Sequence, residues 1–388
     1  MIRVLSMPRS NEVIGIGAGV VGAWTALQLR RTGRSVTLLD AFGTGNTRSS
    51  SSGATRVIRI GYGVDAIYSR WAQRSFHAWH ELFRDWKQEL FTRTGVLWMA
   101  RSEDPTTDET IDVLGRLHVP FEVLDRDGLE ERFPQFSFGP ISRGIFEPDA
   151  GTIMARRAVQ MVVRQAVKQS VDYRIASVLP PQEDGPLDSI ITCDGERLSA
   201  GTFVFACGPW LPKLFPDVLG TRIHTTRQEV FFFGAEPGDR RYLPPEMPAW
   251  ADFVGGVYGV PDIEGRGFKI GLDHHGPPFD PDTGERIVSD GALQVARMIL
   301  GKRVPSLAHA PLLEARVCQY ANSWNGDFLI DRHPRHENVW LVGAGSGHGF
   351  KQGPAGGDYG AAQLSAREAP EPRFTLTGHR DKQERGIF

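Results

Sequence analysis

Apolar residues recur along this chain in short runs that end at glycines, and the first run sets the pattern. Val13-Ile14-Gly15-Ile16 leads into Gly17-x-Gly19-x-x-Gly22, a helix-like stretch continues to Arg31, Gly33 stops it, and residues 36–39 form a second apolar run. Strand, helix, strand is the order this predicts. Residues 48–53 are polar and loop-like, residues 55–59 restore apolar character, and from Ala66 to about Leu90 the positions Ile67, Trp71, Phe76, Trp79 and Phe83 recur at helical spacing. Residues 91–98 then read as one strand leading out of that helix. Residues 145–151 are turn-rich and open onto a helix over 154–169. Residues 202–208 and 339–345 are buried strands ending in glycine, while residues 227–233, 256–260 and 267–272 are short, β-branched or aromatic, and punctuated by Gly and Pro. N-terminal, middle and C-terminal pieces thus share one sheet, and a second, sheet-rich unit comes from the segments between them.

The glycines of the first turn have separate physical tasks. Gly17 permits the tight turn, Gly19 presents bare backbone to a pyrophosphate, and Gly22 lets the helix lie against the strand. The helix N-terminus then meets the phosphates with unpaired N–H groups and the positive end of its dipole. Asp40, ending the second strand, is placed to accept from both ribose hydroxyls, and its charge repels a 2′-phosphate. This is a dinucleotide site, which by itself does not separate NAD from FAD.

Bulk properties narrow the partners. The chain has 388 residues, enough for two domains, and 44 Lys+Arg against 46 Asp+Glu leave a net charge of -2. That balance predicts neither nucleic acid nor an acidic membrane as partner, so a small-molecule substrate is expected. Cys193, Cys207 and Cys318 are too few and scattered for a disulfide framework or a zinc site; no metal is expected, and the setting predicted is reducing cytoplasm. The first twelve residues read as neither signal peptide nor anchor, and no window approaches the length of a bilayer span.

Several residues stand out chemically. Cys318 lies between Arg316 and Tyr320 in a partly charged strand; it is either a packing residue or a thiol whose thiolate a neighbouring cation favours. Gly343, Gly345, Gly347, Gly349 and Gly353 form a second glycine-rich turn, with Lys351 aimed at whatever the loop cradles. Arg56 and Arg59 sit among Val57, Ile58 and Ile60, where an unpaired guanidinium is costly, which points to a carboxylate or a polar cofactor as partner. Lys269 is either an outward-facing strand residue or a buried functional cation.

Taken in order, the βαβ fingerprint, Ala54-Thr55-Arg56-Val57-Ile58-Arg59, residues 91–97, residues 145–151, Tyr258-Gly259, Lys269, Cys318-Gln319-Tyr320, residues 330–334 and Gly347-His348-Gly349-Phe350-Lys351 resemble the monomeric sarcosine oxidase group of flavoprotein amine oxidases, within the D-amino acid oxidase-like superfamily. The likeness runs from about Glu12 to Gly357. It implies an α/β fold: an FAD-binding Rossmann-like (GR2-type) domain, discontinuous in sequence (1–80, 145–215 and 315–388), with a second sheet-rich α+β substrate domain (81–144 and 216–314). It implies FAD held at Gly17, Gly19, Gly22, Asp40, Ser52, Thr55, Arg56, Gly345, Gly347, Gly349 and Lys351, and tethered to Cys318 by a thioether to the flavin 8α-methyl. It implies Arg59 and Lys351 on the substrate carboxylate, Arg56 and Lys269 beside the flavin ring with the lysine activating dioxygen, and Tyr258 and Tyr320 lining the cavity.

The implied reaction is oxidation of a small amino acid-type secondary or cyclic amine to an imine, with hydride-equivalent transfer to flavin N5 and reduction of dioxygen to hydrogen peroxide, in a monomer. Alternatives are a biosynthetic flavin dehydrogenase or desaturase using another acceptor, and a fructosyl-amino-acid oxidase. The chain departs from the family at the serine run ending in Ser52 and at Asp273, which stands with His274 and His275 where the family carries an active-site histidine four residues after the lysine. These departures imply a different cavity and put sarcosine itself in question as substrate.

Overall fold

The computed structural model describes residues 11–379, apart from 103, 183, 184 and 253. Its strands fall into three sheets among the described residues. In the first, Asn11–Ile16 pairs in parallel with Val36–Asp40 on one side and Arg197–Phe205 on the other. Asp172–Ile175 extends the sheet beyond Val36–Asp40, Val339–Gly343 lies beyond Arg197–Phe205, and Leu329–Arg332 closes that edge antiparallel. The central parallel strands are apolar where helices and loops cover both faces: Ile14, Phe203, Phe205 and Leu341 pack on one side, Val13, Leu38, Val204 and Val342 on the other.

The helix Val20–Arg31 lies on this sheet and against a second helix, Gly353–Leu364. Small residues on the second helix make that contact close. A Cβ on Gly357 would stand 2.6 Å from Trp24 Cβ, and one on Gly353 would stand 2.5 Å from a Val20 methyl. Glycine costs about 1 kcal/mol in a helix interior, and here the cost brings two helices into contact. Trp24, buried in the seam, meets Trp79 edge-on at 5.2 Å.

The second sheet has eight strands, ordered Leu312–Ser323, Ile223–Phe233, Phe268–Leu272, Val257–Val260, Ala249–Asp252, Val96–Ala100, Arg143–Glu147 and Glu122–Asp125. Leu312–Ser323 and Ile223–Phe233 form a long antiparallel ribbon that sets Cys318 opposite Gln228 and Tyr320 opposite Thr226. The apolar side of the sheet packs beneath Asp290–Arg303, with Phe231, Phe233, Phe268, Ile270 and Leu300 in one cluster. The third sheet is small: Gly151–Met154 between Thr55–Ile58 and Phe91–Thr92.

Two expectations change. The helix from Ala66 stops at Asp85 rather than near residue 90, with Lys87 in the left-handed region at φ 50°. Residues 91–98 are two strands in different sheets, Phe91–Thr92 and Val96–Ala100, divided at Gly95, whose φ is 66°. A side chain at Gly95 would collide with the Phe146 ring, so the glycine is where the chain crosses from one sheet to the next. Arg59 likewise lies just past the end of Thr55–Ile58.

Candidate active site

The glycine turn is as tight as its spacing suggests. Gly17 has φ 101°, and a Cβ there would strike the Ala206 carbonyl of the neighbouring strand; one on Gly22 would strike the Gly17 carbonyl. A Cβ on Gly19 would meet only Ser51 Oγ, at 3.4 Å, so chain packing leaves this position open. Asp40 does more than end a strand. Its Oδ2 accepts from Ala18 N–H at 2.8 Å and its Oδ1 from Phe42 N–H at 3.0 Å, which fixes the carboxylate against the turn. The serine run, which has no assigned structure in the sequence reading, forms a 3₁₀ turn at Ser50–Ser52, and Ser51 Oγ accepts from Val20 N–H at 3.0 Å at the helix start.

A cavity of about 410 Å³ opens over this turn, walled by Gly17, Gly19 and Asp40 on one side and Gly345, Gly347 and Gly349 on the other. Two smaller cavities of about 30 and 80 Å³ follow it inward, and Arg56 and Tyr320 wall all three. The three cavities thus adjoin one another between the dinucleotide turn and Lys269 and Lys351. Bare backbone at one end and buried cations at the other are a lining that suits FAD, with phosphates at the turn and a flavin ring toward Arg56. Gly22 stands apart from the large cavity and serves the packing of helix on strand. Ser52 lies along the smallest cavity, its hydroxyl donating to Ser49 O at 2.8 Å.

Where the cavities adjoin, Arg56 Nη2 donates to Ser50 O at 2.7 Å and Nη1 to Thr55 O at 2.9 Å, and Nη2 stands 3.9 Å from Cys318 Sγ. Gly53 leaves the room this guanidinium needs. Lys269, on Phe268–Leu272, is buried, donates to Thr55 O at 3.2 Å and sits 5.3 Å from the centre of the Tyr258 ring. Burial, reinforced by Arg56, pushes its ammonium down to about 7. Thr55, Arg56, Arg59, Tyr258, Lys269, Asp273, Tyr320, Gly347 and Lys351 all line the innermost cavity, and Cys318 lies along the adjoining one. Cys207, by contrast, is a thiol that burial raises far above its ordinary range.

Arg59 is sandwiched between Trp98 and Tyr62, 4.2 and 4.5 Å from their ring centres, and donates to Gly61 O. Lys351 Nζ donates to Tyr62 OH at 2.7 Å. Burial lowers both cations, Lys351 well below the ordinary lysine range, with Arg59 adding to the effect. Burial also holds His348 neutral, down to about 3, and raises the Tyr62 hydroxyl to about 12. Glu147 is the residue sequence reasoning missed. Although it lies in a quoted motif, nothing local reveals that its Oε2 accepts from Ile60 N–H at 2.8 Å and its Oε1 from Gly61 N–H at 3.2 Å and Trp98 Nε1 at 2.9 Å. One buried carboxylate thus fixes the backbone just past Arg59 and one of the rings that sandwich it.

No group of His, Cys, Asp and Glu able to hold a metal occurs among the described residues. No described helix is long and apolar enough to cross a membrane.

A largely parallel sheet with a dinucleotide turn, joined to a mixed sheet that brings buried cations to a cavity adjoining that turn's own, defines a flavin-dependent oxidoreductase. The family of FAD dependent oxidoreductases, DAO, matches residues 12–363, and the chain belongs to it. Monomeric sarcosine oxidase from a Bacillus species is 30% identical over 354 residues, 88% of each chain. N-methyl-L-tryptophan oxidase from Citrobacter koseri is 29% identical over 380 residues, 94% of this chain and 97% of its own. Among solved structures, L-proline dehydrogenase from P. horikoshii superposes with a TM-score of 0.82 at 18% identity, covering 98% of this chain and all of its own, which extends the likeness of fold.

Proposed function

We propose that the protein oxidises the C–N bond of a small amino acid-type secondary or cyclic amine to an imine, with dioxygen as acceptor and FAD joined to Cys318 by a thioether. The observation that carries this reading is one cavity in which Arg59 and Lys351 sit together and Lys269 stands as a separate buried cation beside Arg56. The similarity to enzymes named for sarcosine and N-methyl-L-tryptophan supports an amine as substrate. When bound, FAD supplies the acceptor for a hydride equivalent from the carbon beside nitrogen and passes the electrons to dioxygen.

The chain's own residues hold and screen the reactants. Arg59 and Lys351 bind the carboxylate, and the planar guanidinium pinned between two rings fixes its orientation, so positioning is the main protein contribution. Tyr258 and Tyr320, hydroxyls that burial keeps neutral, wall the cavity against water. Lys269 supplies a preorganised positive charge where reduced oxygen forms. Cys318, on the wall next to Arg56 and Arg316, is placed to carry the tether.

Two measurements test these statements separately. Anaerobic mixing with a panel of N-methyl and cyclic amino acids is expected to bleach the flavin absorbance, and a panel that leaves the spectrum unchanged removes the amine assignment. Acid precipitation is expected to leave the wild-type pellet yellow and the Cys318→Ala pellet white, with intact mass heavier by one FAD only in the wild type. Colour released from both would refute the tether. Reoxidation by dioxygen no faster than that of free reduced flavin would favour a dehydrogenase.

A further inference from the structure

Four cations line the innermost cavity, Arg56, Arg59, Lys269 and Lys351, against one carboxylate among its lining residues, Asp273. A cavity so positive attracts a substrate carboxylate and opposes the ammonium group that an amino acid also carries at neutral pH. Asp273 follows immediately after the strand Phe268–Leu272, and its backbone N–H donates to Gly256 O at 2.7 Å, so a turn rather than a long side chain holds the acid at the wall. The charged and titratable groups that face it are Arg59 and Lys351, with the hydroxyls of Tyr62, Tyr258 and Tyr320. Burial raises the acid to about 6 despite the two cations, so it is ionised at neutral pH yet basic enough to take a proton.

We propose that Asp273 receives the substrate's ammonium group and accepts its proton, so that the cavity recognises a zwitterion: carboxylate on Arg59 and Lys351, nitrogen on Asp273. In the transfer one N–H bond breaks and one O–H bond forms, the ammonium and the carboxylate both become neutral, and no electrons change hands. The nitrogen is left with the lone pair that an imine requires. Asp273 thereby gives a cavity lined by four cations a partner for the substrate nitrogen. It selects substrates that carry both charges close together over simple amines and simple acids. The inference rests on the carboxylate-binding role given above to Arg59 and Lys351.

Two probes that cannot be oxidised to an imine separate the two claims. Methoxyacetate carries the carboxylate with a neutral ether in place of nitrogen, and trimethylglycine carries the carboxylate with a permanent cation. Their binding to the FAD-loaded protein is measured by calorimetry at pH 8, in wild type, Asp273→Asn and Asp273→Ala. Both substitutions are expected to weaken trimethylglycine at least about tenfold relative to methoxyacetate, since they remove a buried charge partner. An unchanged ratio overturns the role of Asp273 while leaving the carboxylate site intact. Failure of methoxyacetate to bind wild type overturns the carboxylate site and this inference with it. A kinetic readout is independent of the probes: anaerobic flavin reduction by wild type is expected to fall below an apparent pKa of about 6, the acid's own value. Asp273→Asn is expected to lose that limb, and persistence of the same limb in the variant counts against proton acceptance.

Discussion

Lys269→Met is expected to leave flavin reduction by the amine within a few-fold of wild type and to slow reoxidation by dioxygen by about 100-fold or more, the scale on which one preorganised electrostatic contact acts. The reason is position. The ammonium is buried, tethered to Thr55 O and close to Arg56, where its charge is costly to hold in the resting protein and effective on a nascent anion. Because Lys269 titrates near 7, wild-type reoxidation is also expected to slow as pH rises through that value, and the variant to lose this dependence. Stopped-flow mixing of reduced enzyme with oxygenated buffer across pH 6 to about 9 measures both. Equal slowing of both half-reactions would assign Lys269 a structural role instead.

The same residue carries a cost in stability with a definite sign. A lysine whose folded pKa lies below its unfolded one destabilises the native state wherever the unfolded chain would carry its charge. The penalty is full below about 7, shrinks as pH rises toward 10.5 and vanishes above it. At roughly 1.4 kcal/mol per unit the penalty is on the order of 5 kcal/mol. Lys269→Met is therefore expected to melt higher than wild type at pH 6, with the difference closing at high pH. Function here opposes stability at one atom.

Arg59→Met is expected to lower kcat/KM for carboxylate-bearing amines by at least about 30-fold, because truncating one partner of a buried charged contact costs about 2–5 kcal/mol. Glu147→Gln is the sharper companion. It keeps the shape, removes the charge, and turns an amide NH₂, itself a donor, toward groups that also donate, either Ile60 N–H or the pair Gly61 N–H and Trp98 Nε1. If Glu147 acts only through charge, removing it makes the cavity more positive and lowers KM. If it positions Arg59, KM for the carboxylate substrate rises about tenfold while an amide-capped analogue of that substrate is little affected; this is the outcome expected. A uniform loss with both compounds would mean general loosening.

What the sequence disclosed and what it hid follow from the range of the interactions. The glycine turn was readable because each glycine answers to a neighbour a few residues away or to the next strand, as the Gly17 and Gly22 collisions show. Arg56, Arg59 and Lys269 could be picked out as cations in apolar runs and Lys351 as one at a glycine-rich loop, and all four line one cavity. Glu147 was not readable, since its partners lie 49 to 87 residues away and its own segment reads as strand and turn. Ser51 looked like part of a featureless polar patch because its use depends on Val20, 31 residues earlier. The break at Gly95 was missed because residues on both sides have strand character, and only the ring of Phe146 decides that the chain must turn.

The close seam between Val20–Arg31 and Gly353–Leu364 bears on how the protein is made. The first helix emerges from the ribosome long before its partner, and the strand beside it waits for Arg197–Phe205 to complete its pairing. Trp24, which Trp79 meets edge-on, is not fully covered until Gly357 arrives more than three hundred residues later. The nucleotide turn thus has its sequence early and its support late, so stable cofactor loading belongs to the finished chain, and the nascent one depends on being kept from aggregating in the interval.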